Sequence, residues 1–202
     1  MHTTRRLAVL AALIGSSLAA SGCLPLAATG MAVGTMAALD RRTVGAQAED
    51  TEIELRGASR MSDAIKGANG VAVTSYNRRV LLTGQVPDET AKADAERVMR
   101  QIPGVREVHN ELELANRVTF STTANDTAIT ARVRAGILNE KVLTSNAVKV
   151  VTENSVVYLM GLVTEREGPG YASVASRVPG VRRVVTLFEY ISDEELARIN
   201  AR

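Results

Sequence analysis

The sequence predicts an α+β fold built twice in one chain, each copy a small three-stranded sheet with two helices on one face. Three observations predict it. Val80 to Val86 reads VLLTGQV and Val157 to Val163 reads VYLMGLV, so valine-x-leucine-x-glycine-x-valine occurs twice, 77 residues apart. Ile102-Pro103-Gly104-Val105-Arg106 recurs as Val178-Pro179-Gly180-Val181-Arg182, and Asp50-Thr51-Glu52-Ile53 as Asp126-Thr127-Ala128-Ile129, both 76 apart. Between these landmarks the apolar pattern passes from helical to strand-like in the same order in both halves.

Each copy reads as helix, strand, strand, helix, strand. In the first helix of the second copy, Ile129, Val133 and Ile137 fall four apart on one side, with Asp126 as the expected N-cap. The first strand is VAVTS (71–75) or VKVVT (148–152). A tight turn follows, Tyr76-Asn77-Arg78 or Glu153-Asn154-Ser155, where asparagine tolerates a left-handed backbone. The glycine-bearing strand comes next. Gly84 and Gly161 are read as structural: a missing side chain lets a helix or another backbone come close. Packing against a helix is the expected use, and a small pocket for a ligand or lipid head group is the alternative.

The second helix of the first copy is DETAKADAERVMRQI (88–102), with Ala91, Ala95, Val98, Met99 and Ile102 on one side. Pro-Gly stops it, which makes Gly104 and Gly180 structural as well. The closing strand is VREVHNELEL (105–114) or VRRVVTLFEYI (181–191). The copies span 50–115 and 125–191, joined by a polar linker at 116–124. The tail, 192–202, is expected to be a short amphipathic or frayed extension.

Ahead of the repeat, Arg5 and Arg6 precede the apolar run LAVLAALIGSSLAA and a group of small residues. That is the pattern of a secretory signal, residues 1–22. The run is short for a membrane span and is interrupted by Gly15, Ser16 and Ser17. The single cysteine, Cys23, excludes an internal disulfide and a cysteine metal cluster. Ala20-Ser21-Gly22-Cys23 resembles a bacterial lipobox. The resemblance implies acylation of Cys23 and stable lipid anchoring. With Leu24 in place of aspartate after it, it also implies sorting to the outer membrane, facing the periplasm. Residues 23–49 then read as the lipidated cysteine and a flexible tether.

Two units with V-x-L-x-G-x-V, a charged segment and P-G-V-R-x-V resemble tandem BON domains. With the lipobox and the segment Asp40 to Gln47, the chain is similar to dual-BON outer-membrane lipoproteins of the DolP type. NDTAITARVRAGIL and TENSVVYLMGLVTERE are the most specific parts. The resemblance implies a non-enzymatic protein that binds phospholipid mainly through the first helix of the second domain and supports outer-membrane integrity. It further implies a place at the division site and an influence on the outer-membrane protein assembly machinery.

The residues agree with a non-enzymatic reading. His2 leaves with the signal, and His109 alternates in a strand beside acidic residues, where a surface or edge position is expected. No G-x-S-x-G, P-loop or H-E-x-x-H occurs, and no carboxylate pair is marked by spacing. No catalytic residue, metal site or cofactor is therefore expected. Aromatic content of 3% without tryptophan disfavours stacking sites. Removing residues 1–22 takes away two bases and no acid, leaving 22 of each, so no nucleic-acid partner is expected.

The charge is unevenly divided. Residues 50–115 carry nine bases and eleven acids, and residues 125–191 carry eight bases and six acids. The second copy therefore suits an anionic phospholipid surface better. On its first helix, Ala128, Ala131, Arg132 and Ala135 share a flank beside the apolar side, with Arg134 further round. Small residues let the backbone approach head groups while guanidinium meets phosphate. Position 128 carries alanine where an aromatic would insert. The competing reading is a protein-interaction module for the assembly of outer-membrane proteins.

Overall fold

The computed structural model describes residues 40–66, 69–114 and 120–201. Cys23, the signal and the first part of the tether lie outside the described residues.

The first copy runs α1 (Val44–Ala64), β1 (Asn69–Tyr76), β2 (Arg79–Val86), α2 (Glu89–Arg100), β3 (Glu107–Asn110) and β4 (Glu113–Leu114). The second runs α3 (Phe120–Asn139), β5 (Val148–Glu153), β6 (Val156–Val163), α4 (Gly168–Ser176) and β7 (Arg183–Tyr190), and α5 (Asp193–Asn200) follows. The glycine-bearing strand is central in both sheets: β2 pairs antiparallel with β1 and parallel with β3, and β6 does the same with β5 and β7. The closing strand of the first sheet is interrupted, so this sheet has four strands rather than three. Arg79 still pairs with Glu107 and Gln85 with Glu113, so the register survives the break, at which Leu112 turns into the core.

Both hairpins turn on two left-handed residues, Asn77 and Arg78 (φ 50° and 66°) and Asn154 and Ser155 (φ 48° and 62°). The amides of such a turn need acceptors outside the ladder. Asp50 accepts from Asn77 N at 2.8 Å and Arg78 N at 2.7 Å, and Asp126 accepts from Asn154 N at 2.7 Å and Ser155 N at 2.8 Å. Asp126 is thus not the N-cap that its position in the repeat suggests. The helix α3 starts at Phe120, and Asp126 stands inside it with its carboxylate turned to the hairpin.

Two boundaries also move. Thr43 caps α1 by accepting from Ala46 N at 3.1 Å, so residues 44–49, read above as tether, belong to the first helix. Just before it, Arg41 is 5% exposed and donates to Leu162 O at 2.8 Å and to both carboxylate oxygens of Glu167. Arg42 binds Asp40 and Asp50 and lies 4.2 Å over the Tyr76 ring. Such partners are invisible to composition. Likewise, residues 120–124, expected in the linker, are the first turn of α3.

Gly84 and Gly161 are structural, but their close neighbour is not a helix. A Cβ on Gly84 would lie 2.5 Å from Gly70 O, and one on Gly161 would lie 2.6 Å from Ala147 O. Backbone fills the space, that of β1 beside Gly84 and that of the residue leading into β5 beside Gly161. Gly104 and Gly180 take left-handed φ values of 90° and 96° at the Pro-Gly turns.

Strand alternation sends Val80, Leu82 and Val86 to one core with Ile53, Ala95 and Met99. Val157, Leu159 and Val163 go to a second core with Ile129, Val133 and Tyr171. The opposite faces meet each other. Tyr76 and Leu81 of the first domain pack with Val156, Tyr158, Met160 and Leu162 of the second, and α5 lays Leu196 and Ile199 against the same cluster. Every residue of β6 is therefore buried. Polar contacts frame the seam: Tyr76 Oη donates to Ala147 O (3.1 Å), Arg79 Nη1 to Phe188 O (2.8 Å) and Lys149 Nζ to Glu54 (2.7 Å). The tail is an amphipathic helix capped by Ser192, not a frayed end.

His109 lies on the edge strand β3, 3.4 Å from Arg79 Nη2 and 3.4 Å from Glu107. Its pKa is held below the ordinary 6.5, first by burial and then by Arg79, against the pull of Glu107 and Glu111. The fold therefore prefers neutral imidazole, while the unfolded chain takes up the proton more readily. This contribution to stability is present above pH 6.5 and is lost as pH falls from there through the lowered value. Urea midpoints at neutral and mildly acidic pH should converge more closely in His109→Gln than in the parent. An unchanged pH response in the variant would exclude His109 as its source.

Candidate functional site

Helix α3 positions the predicted surface by its period. Ile129, Val133 and Ile137 are essentially inaccessible, and Ala128, Ala131, Arg132, Arg134 and Ala135 are all exposed. The structure groups four of them. Ala128, Ala131, Arg132 and Ala135 form one stripe, with Arg132 lying along the helix and donating from Nε to Ala128 O at 3.1 Å. Arg134 turns the other way, toward β5, and donates to Val150 O at 3.4 Å.

The stripe extends beyond the residues read from the sequence. Leu138 and Val142 are 71% and 82% exposed. Leu138 lies three residues after Ala135 and out of phase with Ile129, Val133 and Ile137, a signal that the helical period carries. The Pro-Gly turn of the second domain adjoins Arg132: a Cβ on Gly180 would come 4.0 Å from its Nη2. Arg182, two residues on, is exposed.

The electrostatics differ sharply between the copies. The only acid in α3 is Asp126, buried and engaged with the hairpin. In α1 the residue at the place of Ala128 is Glu52, which pairs with Arg56, the counterpart of Arg132. The first copy thus neutralises the arginine that the second leaves open. Among the described residues no group of His, Cys, Asp and Glu is arranged to hold a metal ion. Nor is any described helix long and apolar enough to cross a membrane.

This duplicated architecture defines a class, and the chain belongs to it: the BON domain family model matches residues 49–116 and 125–192. Within that class the chain is 34% identical over 184 residues to outer membrane lipoprotein DolP of Haemophilus influenzae, covering 90% of this chain and 95% of that protein. It is therefore an envelope lipoprotein of the two-BON-domain kind. It is also 32% identical over 155 residues to a 21 kDa hemolysin of Actinobacillus pleuropneumoniae, covering 76% of this chain and 80% of the relative. Osmotically-inducible protein Y of Escherichia coli is 30% identical over 125 residues, covering 60% of this chain and 62% of the relative.

Proposed function

We propose that this protein is a non-enzymatic lipoprotein, anchored through Cys23 in the outer membrane and facing the periplasm, that holds anionic phospholipid on the exposed side of α3 and so supports outer-membrane integrity. One observation carries the reading: the exposed side of α3 bears Arg132 and Arg134 without a single acid, whereas the matching helix α1 pairs its arginine with Glu52. An anionic leaflet contributes about 1 kcal/mol per basic residue at its surface. Ala128, Ala131 and Ala135 let the helix backbone come close, and Leu138 and Val142 add apolar area at its end. The same logic supports a role wherever anionic lipid is concentrated, the division site included.

Flotation with vesicles of phosphatidylcholine and phosphatidylglycerol tests this on mature chain carrying Cys23→Ser. The parent should float, less so as salt rises. Arg132→Glu with Arg134→Glu should weaken binding by at least about 100-fold, since reversing two charges changes the net charge of the face by about four units. Undiminished flotation of the double variant would reject the α3 assignment.

A protein-partner surface is the second reading, with outer-membrane protein assembly machinery as the partner class. It is favoured by Val44 and Leu55, 79% and 69% exposed on the outer side of α1. Failure of the parent to float at any salt would turn attention to that face.

A further inference from the structure

A crevice of about 450 Å³ follows the flank of α3 that carries Arg134, between that helix and β5. Thr127, Thr130 and Arg134 line the helix wall, and Thr152 and Glu153 line the strand wall. Its two ends differ in chemistry. At one end Arg134 makes a single long bond to Val150 O and is otherwise exposed, so N–H donors remain. At the other end the half-buried Glu153 carboxyl has no hydrogen-bond or ionic partner among the described residues. Burial raises its pKa, and Asp126 and Glu113 add to that, so a donor placed against it would relieve an unfavourable charge. Between the ends Thr130 donates to Thr152 Oγ1 at 2.7 Å, which leaves the Thr152 hydroxyl proton available.

We propose that this crevice holds the head group of the bound phospholipid, with Arg134 on the phosphodiester and Thr152 and Glu153 reading a hydroxyl or ammonium at the tip of the arm. The inference rests on the membrane reading of α3 and adds a selectivity to it. Thr127 and Arg134 are seven residues apart, roughly 10 Å along a helix. A phosphodiester with a two- or three-carbon arm bridges that span when each end makes one hydrogen bond of about 3 Å. A head group capped with methyl groups offers Glu153 no proton and leaves its carboxyl half-buried without a partner.

The test uses mature chain carrying Cys23→Ser and two pairs of vesicles matched in charge. One pair compares phosphatidylglycerol with phosphatidylmethanol at equal fractions in phosphatidylcholine. The other compares phosphatidylethanolamine with phosphatidylcholine as the background lipid, with phosphatidylmethanol constant. The donor-bearing lipid should bind about fivefold tighter in at least one pair, the worth of one net hydrogen bond, and that pair identifies the donor as hydroxyl or ammonium. Thr152→Val with Glu153→Leu should bring the ratio to about one while binding to phosphatidylmethanol persists, which also shows that the variant is folded. A parent that binds the vesicles of both pairs without preference, or a variant that keeps the preference, overturns the crevice assignment and leaves the α3 reading standing. A parent that binds no vesicle removes both.

Discussion

Asp50→Ala should cost about 3–5 kcal/mol of stability, the range for stripping one partner from a buried charged network. Asp50 is 2% exposed and gathers four donors. These are Asn77 N (2.8 Å), Arg78 N (2.7 Å), Ser75 Oγ (2.6 Å) and Arg42 Nη1 (2.7 Å). Alanine would leave the two turn amides and a half-buried guanidinium to find new acceptors. The same carboxylate ties α1 to the hairpin and holds Arg42 over Tyr76 at the seam between domains. Asp126→Ala is the internal control, since among the described residues Asp126 serves only the two amides of its own turn. Its expected cost is smaller, about 1–3 kcal/mol. Urea unfolding of both variants measures the difference. Equal losses would show that the contacts to Ser75 and Arg42 contribute nothing.

Gly84→Ala should cost a comparable amount, about 3–5 kcal/mol, by combining backbone strain with overpacking. Gly84 sits at φ 112°, and a Cβ there would lie 2.5 Å from Gly70 O and 2.8 Å from Val71 Cα. These are backbone atoms of the paired strand, so no rotamer change relieves the clash. Gly104→Ala separates the two causes. It shares the positive φ, at 90°, but its Cβ would meet only Ile53 Cδ1 at 3.6 Å, an ordinary contact. That substitution should cost only the left-handed penalty, about 1–2 kcal/mol. Thermal unfolding of the two variants decides the matter, and similar losses would refute the close-approach account of the central strand.

The exposed residues of α3 were legible because exposure follows from period. Once Ile129, Val133 and Ile137 mark the inner side, Ala128, Ala131, Arg132 and Ala135 can only lie outside it. The extension to Leu138 was carried by the same period, whereas Val142 lies past the helix end at Asn139. The absence of an acid near Arg132 could also be read, by setting Ala128 against Glu52. The direction taken by Arg134 could not, because it depends on the edge of β5, brought alongside by the fold. The crevice with Glu153 at its far end was hidden for the same reason.

The sequence by itself determined the duplication, the order of the repeated elements, the left-handed turns and the inward side of the helices. All of these rest on interactions between residues a few positions apart or on the alternation of one strand. The tertiary structure alone decided what meets across distance. Asp126 looks like a helix cap by position, yet its carboxylate, like that of Asp50, serves a hairpin 27 to 29 residues away. Arg41 finds Glu167 across 126 residues. The outer side of β6, Tyr158, Met160 and Leu162, is written in the sequence as an unbroken apolar run. Such a run requires cover on both sides, because apolar area is driven out of water whichever face it lies on. What supplies that cover, the first domain and α5, depends on shape and register between separate sheets, which no local pattern encodes.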